Sequence, residues 1–71
     1  MEQTLRAEMV ASVHSVVPQV GDEVAIGDTI VILESMKMEI PVVVEIAGTV
    51  SEISVSPGDV VREGDVIAIL L

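Results

Sequence analysis

The chain repeats part of its own sequence at an offset of 37 residues. Residues 21–33 read GDEVAIGDTIVIL and residues 58–70 read GDVVREGDVIAIL, and eight of the thirteen aligned positions are identical. Weaker similarity extends backwards, so the repeat covers residues 7–33 and 44–70. A solenoid needs three or more stacked copies to close its core. Two copies instead predict two halves packed about a pseudo-two-fold axis.

Each copy has the pattern of short β-strands joined by Gly-Asp turns. Val and Ile dominate both copies, and these residues favour the pleated surface of a strand. Gly-Asp pairs mark turns because glycine adopts backbone angles that other residues resist, while aspartate bonds to its own backbone. Asp22, Asp28, Asp59 and Asp65 are therefore interpreted as turn formers. The eight predicted strands cover residues 4–9, 12–18, 23–25, 29–34, 38–44, 49–55, 60–62 and 66–70.

These strands predict an all-β fold, a flattened β-barrel or sandwich of two four-stranded sheets with pseudo-two-fold symmetry. Two facing sheets bury the most apolar surface that such short strands allow. A length of 71 residues predicts one domain, residues 1–71. The chain is 51% hydrophobic, which argues against disorder, and it has no cysteine for a disulfide or a thiolate metal site.

Composition excludes several classes of partner. The chain has no aromatic residue to stack on nucleic-acid bases, and 3 basic residues against 12 acidic ones exclude binding to phosphate backbones or anionic membranes. No metal site is predicted, because the acidic residues are spread along the turns. No apolar run approaches the ~20 residues of a spanning helix. The N-terminal segment MEQTLRAE lacks the features of a signal peptide, so we expect a cytoplasmic protein.

Residues 34–41, with the sequence ESMKMEIP, join the two copies. Lys37 is the only lysine of the chain, and methionines stand on both sides of it. A lone lysine in a hairpin is usually a solvated charge, and methionines in a β protein usually fill the core. A turn centred on Lys37 does not readily bury both Met36 and Met38, however. Exposed apolar side chains at a loop tip indicate recognition by another protein.

The segment Ser35-Met36-Lys37-Met38-Glu39 resembles the acceptor motif of biotin carrier domains. The duplicated Gly-Asp-x-Val-x-x-Gly-Asp frame around it is similar to the biotinyl/lipoyl attachment domain family over residues 5–71. Its length is similar to that of the free-standing bacterial biotin/lipoyl attachment proteins. The resemblance implies a flattened barrel with the acceptor Lys37 on an exposed hairpin turn.

The resemblance also implies a function. A biotin protein ligase would attach biotin covalently to Lys37, recognising Ser35, Met36, Met38 and Glu39. The biotin would then carry carboxyl groups between the biotin carboxylase and carboxyltransferase subunits of a carboxylase. The cofactor carries this chemistry and the protein supplies position. The chain itself is thus predicted to be a carrier without catalytic residues, not an enzyme.

Two other functions use the same fold. A lipoyl carrier has its acceptor lysine at the same turn, but its flanks resemble Glu-Thr-Asp-Lys-Ala. Here Met36 and Met38 replace the Asp and Ala, and the nearest upstream acid, Glu34, is three residues from the lysine. These flanks favour biotin over lipoate. The second alternative is an interaction or regulatory module that has lost its partners.

An independent enzyme is the least favoured reading of the residues. His14 is the only histidine, and it stands in a Val-rich predicted strand near Ser12 and Ser15. No acidic residue is nearby in sequence to complete a catalytic triad. We therefore expect His14 to be a surface residue of its strand.

Overall fold

Eight short β-strands form in the computed structural model, which describes residues 2–71. They are β1 (Gln3–Arg6), β2 (Ala11–Val16), β3 (Glu23–Val24), β4 (Thr29–Ser35), β5 (Met38–Val43), β6 (Gly48–Ile53), β7 (Val60–Val61) and β8 (Val66–Leu70). Two four-stranded antiparallel sheets have the orders β1-β8-β6-β3 and β5-β4-β2-β7. Exchanging the two copies converts one order into the other, which confirms the predicted all-β, pseudo-symmetric fold. Within residues 2–71, no helix is long and apolar enough to cross a membrane.

The core between the sheets repeats the symmetry of the sequence. Thirteen apolar residues among residues 2–71 are buried, and twelve of them form pairs related by the offset. The pairs are Ala7 with Val44, Val13 with Val50, Val24 with Val61, Ile30 with Ile67, Val31 with Ala68 and Leu33 with Leu70. Fully burying a Val, Leu or Ile side chain contributes about 1.5–3 kcal/mol. Both halves therefore stabilise the fold through equivalent contacts.

β-Bulges allow neighbouring residues to face this core. The register of β4 against β5 shifts between Thr29 and Val31, and Ile30 and Val31 are both buried. Strand β8 shifts equivalently against β1, where Ile67 and Ala68 are both buried. A bulge places two residues of one strand opposite one of its partner. The apolar runs of β4 and β8 are thus buried although each sheet has only one face on the core.

Each Gly-Asp pair closes a four-residue turn. In the first, the Asp22 N–H donates to the Gln19 carbonyl at 3.0 Å, and the Gln19 N–H donates to the Asp22 carboxylate at 2.9 Å. Gly21 has a φ of +98°, as the third residue of a type II turn requires. The same two hydrogen bonds form in the turns that end at Asp28, Asp59 and Asp65. The interpretation of the four aspartates as turn formers is confirmed.

Four buried residues hold these turns by pairs of backbone hydrogen bonds. The Val13 N–H donates to the Asp59 carbonyl at 2.7 Å, and the Gly58 N–H donates back to the Val13 carbonyl at 2.9 Å. The same exchange joins Ala7 to Gly64-Asp65, Val44 to Gly27-Asp28 and Val50 to Gly21-Asp22. Every pair connects one half of the chain to the other. Neither half alone can satisfy these backbone groups, which a folded protein must pair when it buries them.

Several strands end before their predicted limits, β1 by three residues and β2 and β6 by two. Strand β1 ends at Arg6, not at residue 9, because the Ala7 backbone bonds to the Gly64-Asp65 turn instead of continuing the strand. Strand β2 ends at Val16, not at residue 18, and Pro18 has no N–H to extend the ladder. The other strands agree with the predicted limits to within two residues.

Pro41 lies in β5, which is an edge strand paired only with β4. In a two-residue hairpin the closing pair exchanges hydrogen bonds and successive pairs alternate. Counting from Ser35 and Met38, the Ile32–Pro41 pair is non-hydrogen-bonded, so the backbone at Pro41 faces the free edge. Proline removes a donor there. The strand next to the hairpin turn is thereby protected against pairing with another chain.

Gly48 makes a close contact that a substitution can test. It is the equivalent of the buried Ala11, but a Cβ at Gly48 would lie 2.8 Å from the carbonyl oxygen of Leu71. We expect Gly48→Ala to lower the free energy of unfolding by about 1–3 kcal/mol, as overpacking does. Far-UV circular dichroism is the suitable measurement, since the chain has no aromatic residue to serve as a fluorescent probe.

The control for this prediction is Gly48→Ala in a chain that lacks Leu71. In that background we expect a much smaller loss, because the carbonyl oxygen that the new methyl group would contact is gone. The substitution and the deletion of Leu71 form a double-mutant cycle. Equal losses in the two backgrounds would contradict the contact.

Candidate functional site

The hairpin of β4 and β5 turns through two residues, Met36 and Lys37. Ser35 and Met38 pair directly across the turn, and Met36 and Lys37 have φ values of 54° and 64°. Two successive positive φ values define a type I′ turn, whose twist matches that of the flanking strands. The structure thus places Lys37 at the apex of the hairpin, where the sequence predicts the acceptor turn.

This turn is built from residues that disfavour its conformation. Type I′ turns prefer Asn-Gly or Asp-Gly, because the left-handed region costs other residues about 1–2 kcal/mol each. Among residues 2–71, Met36 and Lys37 are the non-glycine residues with positive φ. Such strain persists where surrounding structure holds it and is concentrated at functional sites. Here β4 and β5 hold it from both sides.

The side chains of the turn project into solvent. Met36 is 91% exposed and Met38 is 62% exposed, and Lys37 is also exposed. Ser35 is half-buried, whereas Glu39 is exposed. The expectation that the turn exposes both methionines is confirmed. The arrangement presents the only side-chain primary amine of the chain between two apolar side chains.

The register adds residues that the sequence analysis did not bring together. Glu34 pairs with Glu39 on β5 and with Ser12 on β2, and Ser12 pairs with Val60 on β7. All four are exposed, so they form one row across the outer face of the sheet. The two glutamates face each other directly, and like charges in that position are destabilising. The pairing of Glu34 with Glu39 follows once the two residues of the turn are known to be Met36 and Lys37.

His14 lies on the exposed side of β2, as expected. Its Nδ1 is 3.4 Å from the hydroxyl oxygen of the neighbouring Ser15. The register of β2 against β4 shifts between Val13 and Ser15, so His14 sits at a bulge. Within residues 2–71, no three histidine or acidic side chains converge on a possible metal position.

Comparisons with known proteins place the chain in one family. Residues 4–70 match the model of the Biotin_lipoyl family, which is described as "Biotin-requiring enzyme". The chain is 56% identical over 70 residues to the biotinylated protein TB7.3 homolog of Mycobacterium leprae, covering 99% of both proteins. It is 42% identical over 64 residues to the biotin/lipoyl attachment protein of Bacillus subtilis, covering 90% of this chain and 88% of that protein.

A solved structure shares the same fold. The urea carboxylase of Kluyveromyces lactis contains a region that matches 100% of this chain with a TM-score of 0.92 and 34% sequence identity. That region is 6% of the carboxylase chain, so the similarity concerns one small part of a large protein. Sequence and fold thus lead to the same conclusion. The chain belongs to the Biotin_lipoyl family of biotin and lipoyl attachment domains.

Proposed function

We propose that this chain is a biotin carrier and that Lys37 is the residue to which biotin is attached. The observation that carries the proposal is the position of the sole lysine at the apex of a strained, exposed two-residue turn. Relatives named as a biotinylated protein and as a biotin/lipoyl attachment protein support it. We further propose that residues 1–71 act as one attachment domain in the cytoplasm.

Attachment requires little from the carrier except presentation of the amine. A biotin protein ligase would supply biotin as an acyl-adenylate, and the neutral Lys37 Nζ would attack the acyl carbon. The N–C amide bond forms, the C–O bond to AMP breaks, and the amine proton leaves to a base of the ligase. The exposed hairpin apex gives the ligase access to Nζ without any rearrangement of the sheets.

The fold then fixes the origin of the attached arm. When bound, biotin supplies a ureido nitrogen that accepts and releases a carboxyl group. Lys37 provides a flexible side chain, while β4 and β5 anchor its backbone to the core through Leu33 and Ile40. Tethering raises the effective concentration of the cofactor at the sites it visits. The partners we propose are biotin carboxylase and carboxyltransferase subunits, because a carrier without catalytic residues needs both.

Recognition by the ligase is assigned to the residues around the lysine. Met36 and Met38 offer apolar contact area, Glu39 offers a charged contact, and the small Ser35 leaves room beside the turn. Thioethers are polarisable and flexible, which suits them to binding surfaces. An acidic residue directly before the lysine, as in lipoyl carriers, is replaced by Met36. These flanks favour biotin as the cofactor and leave lipoate as the alternative.

Lys37→Arg tests the attachment site. We expect incubation with biotin, ATP and a biotin protein ligase to leave this variant unmodified, since the guanidinium is not an acyl acceptor under these conditions. The thermal midpoint should stay within a few degrees of the parent, because the side chain is exposed. Intact mass and streptavidin binding measure the modification. Biotin on the variant would contradict the assignment, and an unmodified parent chain would favour the interaction-module alternative.

A second prediction concerns the strain in the turn. We expect Met36→Asn to raise the free energy of unfolding by about 1 kcal/mol, because asparagine tolerates the left-handed region better than methionine. The same variant should be biotinylated more slowly, since an apolar contact is lost. Met36→Leu is the matched control, for it keeps both the strain and the apolar surface. Equal denaturant midpoints for the two variants would show that the left-handed backbone angles of Met36 do not destabilise the fold.

The flanks themselves can be exchanged to test cofactor choice. We expect Met36→Asp combined with Met38→Ala to lose biotinylation and to gain lipoylation by a lipoate ligase. The physical reason is that the double variant replaces both apolar contacts and places a carboxylate directly before the lysine. Mass spectrometry of the chain after parallel reactions with the two ligases distinguishes the products. Biotinylation at the parent rate would show that the flanks do not discriminate.

A further inference from the structure

Within residues 2–71, the most exposed methionine residues lie on either side of Lys37. Met36 is 91% exposed and Met38 is 62% exposed, whereas Met9 lines the groove between β1 and β5 and is 38% exposed. Neither methionine of the turn belongs to the buried core. The chain has no cysteine, so it has no thiol that would react with an oxidant first. Among the methionines of residues 2–71, Met36 and Met38 are therefore the most open to attack by an oxidant.

We propose that Met36 and Met38 are sites of reversible oxidation and that their sulfoxides block biotinylation of Lys37. The inference rests on the proposed function, because it concerns the same acceptor turn. Hydrogen peroxide is the class of oxidant. One oxygen atom is transferred to the thioether sulfur, the O–O bond breaks, the S–O bond forms and water leaves, while sulfur loses two electrons. Methionine sulfoxide reductases, supplied with a dithiol such as dithiothreitol, return both sulfoxide epimers to the thioether: the dithiol gives up two electrons to become a disulfide, the S–O bond breaks and the oxygen leaves as water.

The effect follows from the change in polarity of the side chain. A thioether is apolar and gains free energy when a partner covers it. A sulfoxide oxygen is a strong hydrogen-bond acceptor, and covering it without a donor is unfavourable. The ligase surface that accepts two apolar flanks would thus reject the oxidised turn. The fold is unaffected, because Met36 and Met38 make no part of the core and β4 and β5 hold the turn from below.

The exposed fractions also predict an order of oxidation. Met36 should oxidise first, Met38 second and Met9 last, since attack on sulfur needs access for the peroxide. Cleavage after glutamate releases residues 35–39 as one short peptide, because Glu34 and Glu39 bracket the turn. This peptide reports both methionines and the lysine together. Met9 falls on a different peptide, which begins after Glu8.

The test uses the unmodified chain of 71 residues, partly oxidised with hydrogen peroxide and then cleared of peroxide with catalase. Ligase, biotin and ATP are added, and biotinylated and unreacted chains are separated on avidin. We expect the sulfoxides of Met36 and Met38 to be concentrated in the unreacted chains. Chains that carry these sulfoxides should react with an initial rate at least tenfold below that of untreated protein. Treatment with the reductases should restore the rate, and far-UV circular dichroism should not change.

Variants make the result specific to the turn. Met36→Leu combined with Met38→Leu keeps apolar flanks of similar volume but cannot be oxidised, so peroxide should not alter its rate. Met9→Leu should remain as sensitive as the parent. Met36→Gln places a permanent polar group at the turn and should react slowly without any oxidant. Because the separation on avidin uses the parent chain alone, the test does not depend on how well the variants react.

The outcomes separate this inference from the function on which it rests. Untreated protein that accepts no biotin would overturn the carrier function itself. Untreated and oxidised chains that react at equal rates, with sulfoxides distributed equally between the two fractions, would overturn the oxidation proposal alone. Loss of rate in the double leucine variant after peroxide treatment would place the sensitive group outside the turn and would also overturn it.

Discussion

Reciprocal backbone hydrogen bonds between the two halves are the interaction on which this structure depends. Each Gly-Asp turn offers an N–H and a carbonyl to one buried residue of the opposite half, as Gly58 and Asp59 do to Val13. Four such exchanges join the halves. Because the residues that accept the turns also belong to the core, the hydrogen bonds and the apolar contacts form together. A chain of 71 residues without a disulfide gains cooperativity from that coupling.

The two halves, joined by these hydrogen bonds and core contacts, explain how the turn between β4 and β5 can be strained. Glycine takes positive φ in the structural turns, where no side chain is needed, and the left-handed region carries no steric penalty for it. Met36 and Lys37 take it in the turn between β4 and β5, where we propose that both side chains are presented to a ligase. The strain is about 1–2 kcal/mol per residue, which is comparable with the burial of a single core side chain. The flanking strands are therefore sufficient to hold it.

Exposure of the turn between β4 and β5 has two opposite consequences. It leaves the amine of Lys37 and the apolar side chains on both sides of it open to the ligase that we propose as a partner. It also leaves the sulfur atoms of Met36 and Met38 open to oxidants, which buried methionines would escape. A third consequence of exposure is that the edge strand β5 could pair with another chain. Pro41 limits this pairing, because proline removes a free backbone donor from that strand. The hairpin thus exposes the side chains of its turn, while its edge strand has one backbone donor fewer.

Most of the strand pattern was predictable because its signals are local. Gly-Asp pairs mark turns wherever they occur, and runs of Val and Ile between them leave few other places for strands. The ends of β1 and β2 were not predictable in the same way. Ala7 leaves its strand to bond with Gly64-Asp65, which is distant in sequence and becomes a neighbour only after the sheets pack. The bulges at Ile30 and Ile67 were likewise not predictable from local signals. They place two adjacent residues of one strand in the core, which happens only when the sheets pack.

By itself the sequence determined that two equivalent all-β halves form and that a single lysine stands between them, flanked by methionines. These are properties of composition and spacing, which do not depend on long-range contacts. Only the tertiary structure decided that Met36 and Lys37 both adopt left-handed angles, and that Glu34 faces Glu39 in a row continued by Ser12. The physical reason is register, since the pairing of β4 with β5 and β2 sets the turn length and the neighbours of every side chain on that face.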